Sequence, residues 1–69
     1  MVNTNKLIGI MAEKGITQQE LAIHLGITPK TFYNKMKRKE FNTTEMKGIT
    51  DYLCITDPVP IFFADEVTQ

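Results

Sequence analysis

The stretch TQQELAIHLGITPKTFYNKMK, Thr17 to Lys37, holds two short helices and the corner between them. Thr17 stands where an N-cap is needed, and Glu20 follows three residues later. At that spacing the cap side chain and the Glu carboxylate satisfy each other's backbone donors. Leu21, Ala22 and Leu25 form one apolar face, so this helix runs for only two turns. Gly26 ends it, and a buried Ile27 is expected next. Thr28 and Pro29 then supply a cap residue and a proline at the first helical position. Phe32 and Met36 are four apart and share the inner face of the helix that follows, while Lys30, Tyr33, Asn34 and Lys37 lie mostly on other faces. Ala22 is the small residue that a close helix crossing needs and Gly26 allows the tight turn. Residues 18–37 therefore read as a helix-turn-helix.

On the N-terminal side, Leu7, Ile8 and Met11 make an apolar stripe at helical spacing, which predicts a helix over residues 4–14. Gly15 supplies a left-handed stop and Ile16 folds back on the preceding turn. On the C-terminal side, Asn42 and Glu45 repeat the capping-box spacing. Met46, Ile49 and Leu53 then predict a fourth helix through about Tyr52. Gly48 weakens that helix by about 1 kcal/mol relative to Ala. Asp57 and Pro58 start a last short turn whose regularity Pro60 limits, and Ile61 and Phe62 return to the core. The expected fold is all-α: a compact bundle of four to five short helices with a helix-turn-helix, residues 1–69 forming one domain.

A chain of 69 residues is too short for two cores. It has no run near the roughly 20 apolar residues that span a bilayer. Its first ten residues carry Asn3, Thr4 and Asn5 rather than the basic start and long apolar run of a secretory signal, so export and membrane association are not expected. Cys54 is the single cysteine and forms no internal disulfide; with His24 it falls short of the four ligands of a structural zinc site. His24 is expected on a solvent-facing side of its helix, and Cys54 in a small packing role. No Ser/His/Asp set, glycine-rich phosphate loop or metal-ligand spacing occurs, so neither an enzyme nor a cofactor is expected.

The formal net charge is zero, yet the charges are unevenly placed. Lys30, Lys35, Lys37, Arg38 and Lys39 fall within ten positions, whereas residues 40–69 carry six acids against Lys47 alone. Such a basic run is either a solvated helix end, where cations complement the helix dipole, or a grip for phosphates.

Gln18 to Lys37, with Gln18, Leu21, Ala22, Leu25, Gly26, Ile27 and Phe32 as the matching points, resembles the Cro/CI-type repressors of temperate phages and the related XRE-like bacterial regulators. The likeness covers most of the chain, since a helix precedes these points and a fourth helix and an IFF turn follow them. It implies a lambda repressor-like DNA-binding domain whose third helix enters the major groove. Base contact then falls to Thr28, Lys30, Tyr33 and Asn34, and phosphate contact to Thr17, Gln18, Lys35, Lys37, Arg38 and Lys39. Two positions depart from the family pattern. Lys35 stands where many relatives carry an apolar residue, with Met36 taking the inner position, and Pro29 stands where many carry a polar base reader.

The resemblance leaves two functions open. One is a Cro-like regulator that binds double-stranded operator DNA as a weak homodimer, on half-sites about one helical turn apart. Its dimer surface would lie in the tail, at Phe62 or Phe63. The other is a modulator that binds a partner phage repressor, favoured by the neutral net charge and the apolar, acidic segment IFFADEV. Either would work in the cytoplasm of a bacterial host.

Overall fold

Four helices each begin at a side-chain cap and end at a residue with positive φ, in a computed structural model that describes residues 1–66. Helix α1 spans Thr4–Lys14, α2 Gln18–Leu25, α3 Pro29–Arg38, α4 Thr43–Leu53 and α5 Val59–Phe62, with a single 3-10 turn at Ala64–Glu66. Val67, Thr68 and Gln69, which the expected domain includes, lie outside the described residues. The Asn3 side chain accepts from the Lys6 N–H at 3.1 Å. Both expected capping boxes form: Thr17 with Glu20 at 3.1 Å in each direction, and Asn42 with Glu45 at 2.8 and 2.9 Å. The Thr28 hydroxyl accepts from the Thr31 N–H at 3.1 Å, with Pro29 in the first turn. Each cap of this type stabilises its helix by about 1 kcal/mol.

Gly15 (φ 68°) and Gly26 (φ 74°) close α1 and α2 in the left-handed region, where glycine meets no Cβ penalty. After Gly15 the Ile16 N–H reaches back to the Met11 carbonyl at 2.9 Å, and after Gly26 the Ile27 N–H reaches the Ala22 carbonyl at 3.1 Å. Lys39 (φ 59°) and Cys54 (φ 54°) make the same turn with side chains attached, which strains the backbone. Cys54 therefore departs from the expected packing role. Helix α4 continues to Leu53, which takes the buried position, and Cys54 is left exposed in the turn that follows.

The core draws a pair from each helix: Leu7 and Met11, Leu21 and Ala22, Phe32 and Met36, Ile49 and Leu53, Ile61 and Phe62. Ile16, Leu25, Ile27 and Met46 are half-buried against it. Full burial of a side chain such as Phe32 contributes about 1.5–3 kcal/mol. Two further core residues, Val2 and Phe41, sit outside the helices. Phe41 packs at a tilt on Phe32, with ring centroids 5.6 Å apart. Val2 donates its N–H to the Lys39 carbonyl at 3.1 Å, and Asn3 donates to the Ile61 carbonyl at 2.6 Å. The N-terminal segment thus ties the end of α3 to α5. Ile8, expected in the apolar stripe, is 44% exposed.

Helix α2 packs on both α3 and α4, and α1 on α4 and α5. Gly48 explains the close approach of α4 to α2: a Cβ added there would lie 2.6 Å from Cδ2 of Leu25. The propensity cost of glycine in mid-helix is thereby exchanged for proximity between two helices. Gly26, by contrast, has open space where its Cβ would be and serves the turn alone. Among the described residues no helix is long and apolar enough to cross a membrane.

Candidate nucleic-acid interface

Phe32 and Met36 hold one side of α3 against the core, and this decides what the opposite side presents. Tyr33 and Asn34 each stand three or four positions from both Lys30 and Lys37, so the four line one outward stripe of the helix. All four are exposed, Tyr33 at 58%. Helix α3 contains no acidic residue, and its last turn adds Lys35 and Arg38, with Lys39 in the turn beyond. Among the described residues no carboxylate pairs with Lys30, Lys37, Arg38 or Lys39. The stripe is a cationic, amide- and phenol-bearing surface on a rigid element.

The start of α2 adjoins it. A shallow groove lined by Thr4, Ile8, Gln18, Tyr33, Met36 and Lys37 joins the first turn of α2 to the outer side of α3. Thr17 and Gln18 are both exposed there. In the capping box the Thr17 hydroxyl accepts from the Glu20 N–H and the Thr17 N–H donates to Glu20 Oε1, which leaves the hydroxyl hydrogen as a donor. The amides of Gln18 and Gln19 remain as the helix-start donors, at the positive end of the helix dipole. The structure thus brings nine of the ten sequence-proposed contact residues to exposed positions: Thr17, Gln18, Thr28, Lys30, Tyr33, Asn34, Lys37, Arg38 and Lys39.

Thr28 carries a constraint that its sequence position does not show. Besides capping α3, its hydroxyl donates to Oγ1 of Thr31 at 2.8 Å, so both its donor and an acceptor site are in use. One acceptor site of the hydroxyl and the methyl group remain for an outside partner. Lys35, the tenth residue, is half-buried, and its ammonium lies 3.2 Å from Oε2 of Glu45. A lysine on the side of α3 next to Met36 reaches the start of α4, where Glu45 is the single buried charged residue among those described.

Other residues singled out in the sequence fall elsewhere. His24 is exposed, as expected, and stacks on the ring of Tyr52 with centroids 4.2 Å apart, a contact between α2 and α4 that the sequence does not announce. No group of three or more His, Cys, Asp or Glu side chains capable of holding a metal occurs among the described residues.

Helix order, the capped corner of α2 and α3, and the outward cationic stripe of α3 are the features of a helix-turn-helix that docks on a duplex. A family model described as Cro/C1-type HTH DNA-binding domain matches residues 6–58, which takes in α1 from Lys6 onward, α2 to α4 and the turn beyond. No curated protein and no solved structure gave a match. The chain belongs to the Cro/C1-type helix-turn-helix DNA-binding domains.

Proposed function

We propose that this domain is a Cro-like transcriptional regulator that reads an operator by placing α3 in the major groove. The observation that carries the reading is the stripe of Lys30, Tyr33, Asn34 and Lys37, exposed on a helix whose other side is fixed by Phe32 and Met36. A Lys ammonium donates to the O6 and N7 acceptors of guanine, and an Asn amide bonds adenine at two points. Lys30 and Asn34 take these roles. Tyr33 and the Thr28 methyl supply contacts to thymine methyl groups.

Lys37, Arg38 and Lys39 hold backbone phosphates at the end of α3. Gln18, with the amides at the start of α2, holds another, and Thr17 shapes that helix start through its capping box. A temperate-phage switch is the setting that the resemblance suggests. A weak homodimer would set two α3 helices about one helical turn of DNA apart. Phe62 is a core residue at 1% exposure, so the tail surface falls to Phe63 and Val59, exposed at 43% and 47%. The same exposed pair supports a second reading, in which a partner repressor rather than a second copy covers it.

Asn34→Ala tests base reading directly. The substitution is expected to cost about 1–3 kcal/mol on the cognate operator and little on random DNA. Equal losses on both duplexes would exclude Asn34 as a base reader.

A further inference from the structure

Among the described residues, Lys35 is the one cation of the basic run held by a carboxylate. Its side chain is 21% exposed, and its ammonium sits 3.2 Å from Glu45 Oε2, on a carboxylate side chain that is itself 9% exposed. The two oxygens of Glu45 have separate tasks. Oε1 accepts the Asn42 N–H at 2.9 Å and closes the capping box of α4, while Oε2 holds Lys35. One carboxylate therefore joins the start of α4 to the last turn of α3.

We infer that Glu45 stands in for a DNA phosphate, holding Lys35 off the nucleic acid and fixing the last turn of α3 for docking. The inference rests on the DNA-binding reading above, with Glu45 a positioning residue rather than a contact. For Lys35 to reach a phosphate it must leave a nearly buried carboxylate without its cation, a costly state. One anion would be exchanged for another, with no net gain in neutralisation. Lys37, Arg38 and Lys39 have no such partner among the described residues, so each releases counterions on binding. The pairing keeps sequence-independent attraction low and leaves discrimination to the outward stripe.

Glu45→Gln separates the two tasks, because an amide oxygen still accepts the Asn42 N–H while the charge that holds Lys35 is gone. With random and operator duplexes in a salt series, the slope of log affinity against log salt is expected to steepen by about 0.9 in E45Q, one additional phosphate contact. Between 50 and 200 mM salt this is about a 3.5-fold greater loss of affinity than in the wild type. Lys35→Gln is expected to leave the wild-type slope unchanged, and the double variant to return the E45Q slope to the wild-type value.

Glu40→Gln is the control, since Glu40 is exposed and lines the same surface hollow as Lys35 but does not hold its ammonium. A slope in E40Q as steep as in E45Q would overturn the inference by reducing it to general charge. A slope about 0.9 shallower in K35Q would overturn it by placing Lys35 on a phosphate already. K35Q also decides the matter should E45Q fail to fold. A wild type with no salt-dependent binding would refute the DNA-binding reading and the inference with it; salt-dependent binding with equal slopes in wild type and E45Q would refute the inference alone.

Discussion

Alanine at Gly48 sets two opposed effects of similar size against each other. In mid-helix, Ala is favoured over Gly by about 1 kcal/mol. The new Cβ would lie 2.6 Å from Cδ2 of Leu25, about 1 Å inside the 3.5–4.0 Å of an ordinary carbon contact. Leu25 is half-buried and the atom in the way is the end of its side chain, so the methyl turns aside while the helices stay in place. Holding a side chain off its rotamer costs about 0.5–1.5 kcal/mol. The expected net change for Gly48→Ala is therefore close to zero. In a Leu25→Val background the obstructing methyl is absent, and the same substitution should stabilise by the full propensity difference, about 1 kcal/mol. Urea unfolding followed by far-UV circular dichroism on the four proteins of this cycle measures the coupling. In thermal terms it amounts to roughly 4–8 °C for a domain of this size. Additivity within about 0.3–0.5 kcal/mol would show that α4 does not approach Leu25 in solution and would refute the packing argument.

Three other outcomes follow from single residues. Lys39→Gly relieves a left-handed residue that costs about 1–2 kcal/mol, against about 0.4–1 kcal/mol of added chain entropy in the unfolded state. The melting temperature should rise, and a fall would show that the Lys39 side chain contributes packing that offsets its strain. Thr28→Ala should lower the urea midpoint by the equivalent of about 1 kcal/mol, while Thr28→Ser retains the cap and stays near the wild type. Equal midpoints for Ala and wild type would remove the capping role. Phe63→Ser should weaken self-association in sedimentation equilibrium with helix content unchanged, whereas an unaltered association constant would move the dimer surface elsewhere.

Features decided within a few residues were legible in the sequence. Thr17 with Glu20, Asn42 with Glu45, and Gly15 and Gly26 at helix ends each act on backbone groups three or four positions away, so spacing alone locates them. The inner face of α3 was legible for the same reason, since Phe32 and Met36 stand one turn apart. What spacing does not reveal is which elements meet. Lys35 and Glu45 are ten positions apart on different helices, and although Lys35 stands out as a cation at a position often apolar in the family, nothing in its spacing names Glu45 as its partner. Gly48 reads as a weak point until Leu25 is seen against it. Val2 and Phe41 stand outside any helical period, and only their burial identifies them as core. Cys54 differs from its expected packing role because Leu53 takes the buried position and the cysteine becomes the exposed left-handed residue that ends α4.

The central claim is that α3 reads DNA. The most direct test is fluorescence anisotropy of the purified protein on fragments flanking its own gene, across a salt series with random duplex as control. The account predicts binding to one fragment that is tighter than to random DNA. Affinity should fall steeply with salt, with a slope of about 0.9 for each phosphate held. Binding that is absent, or equal on every duplex with a shallow salt dependence, would contradict it and leave the exposed Val59 and Phe63 surface as the domain's working face.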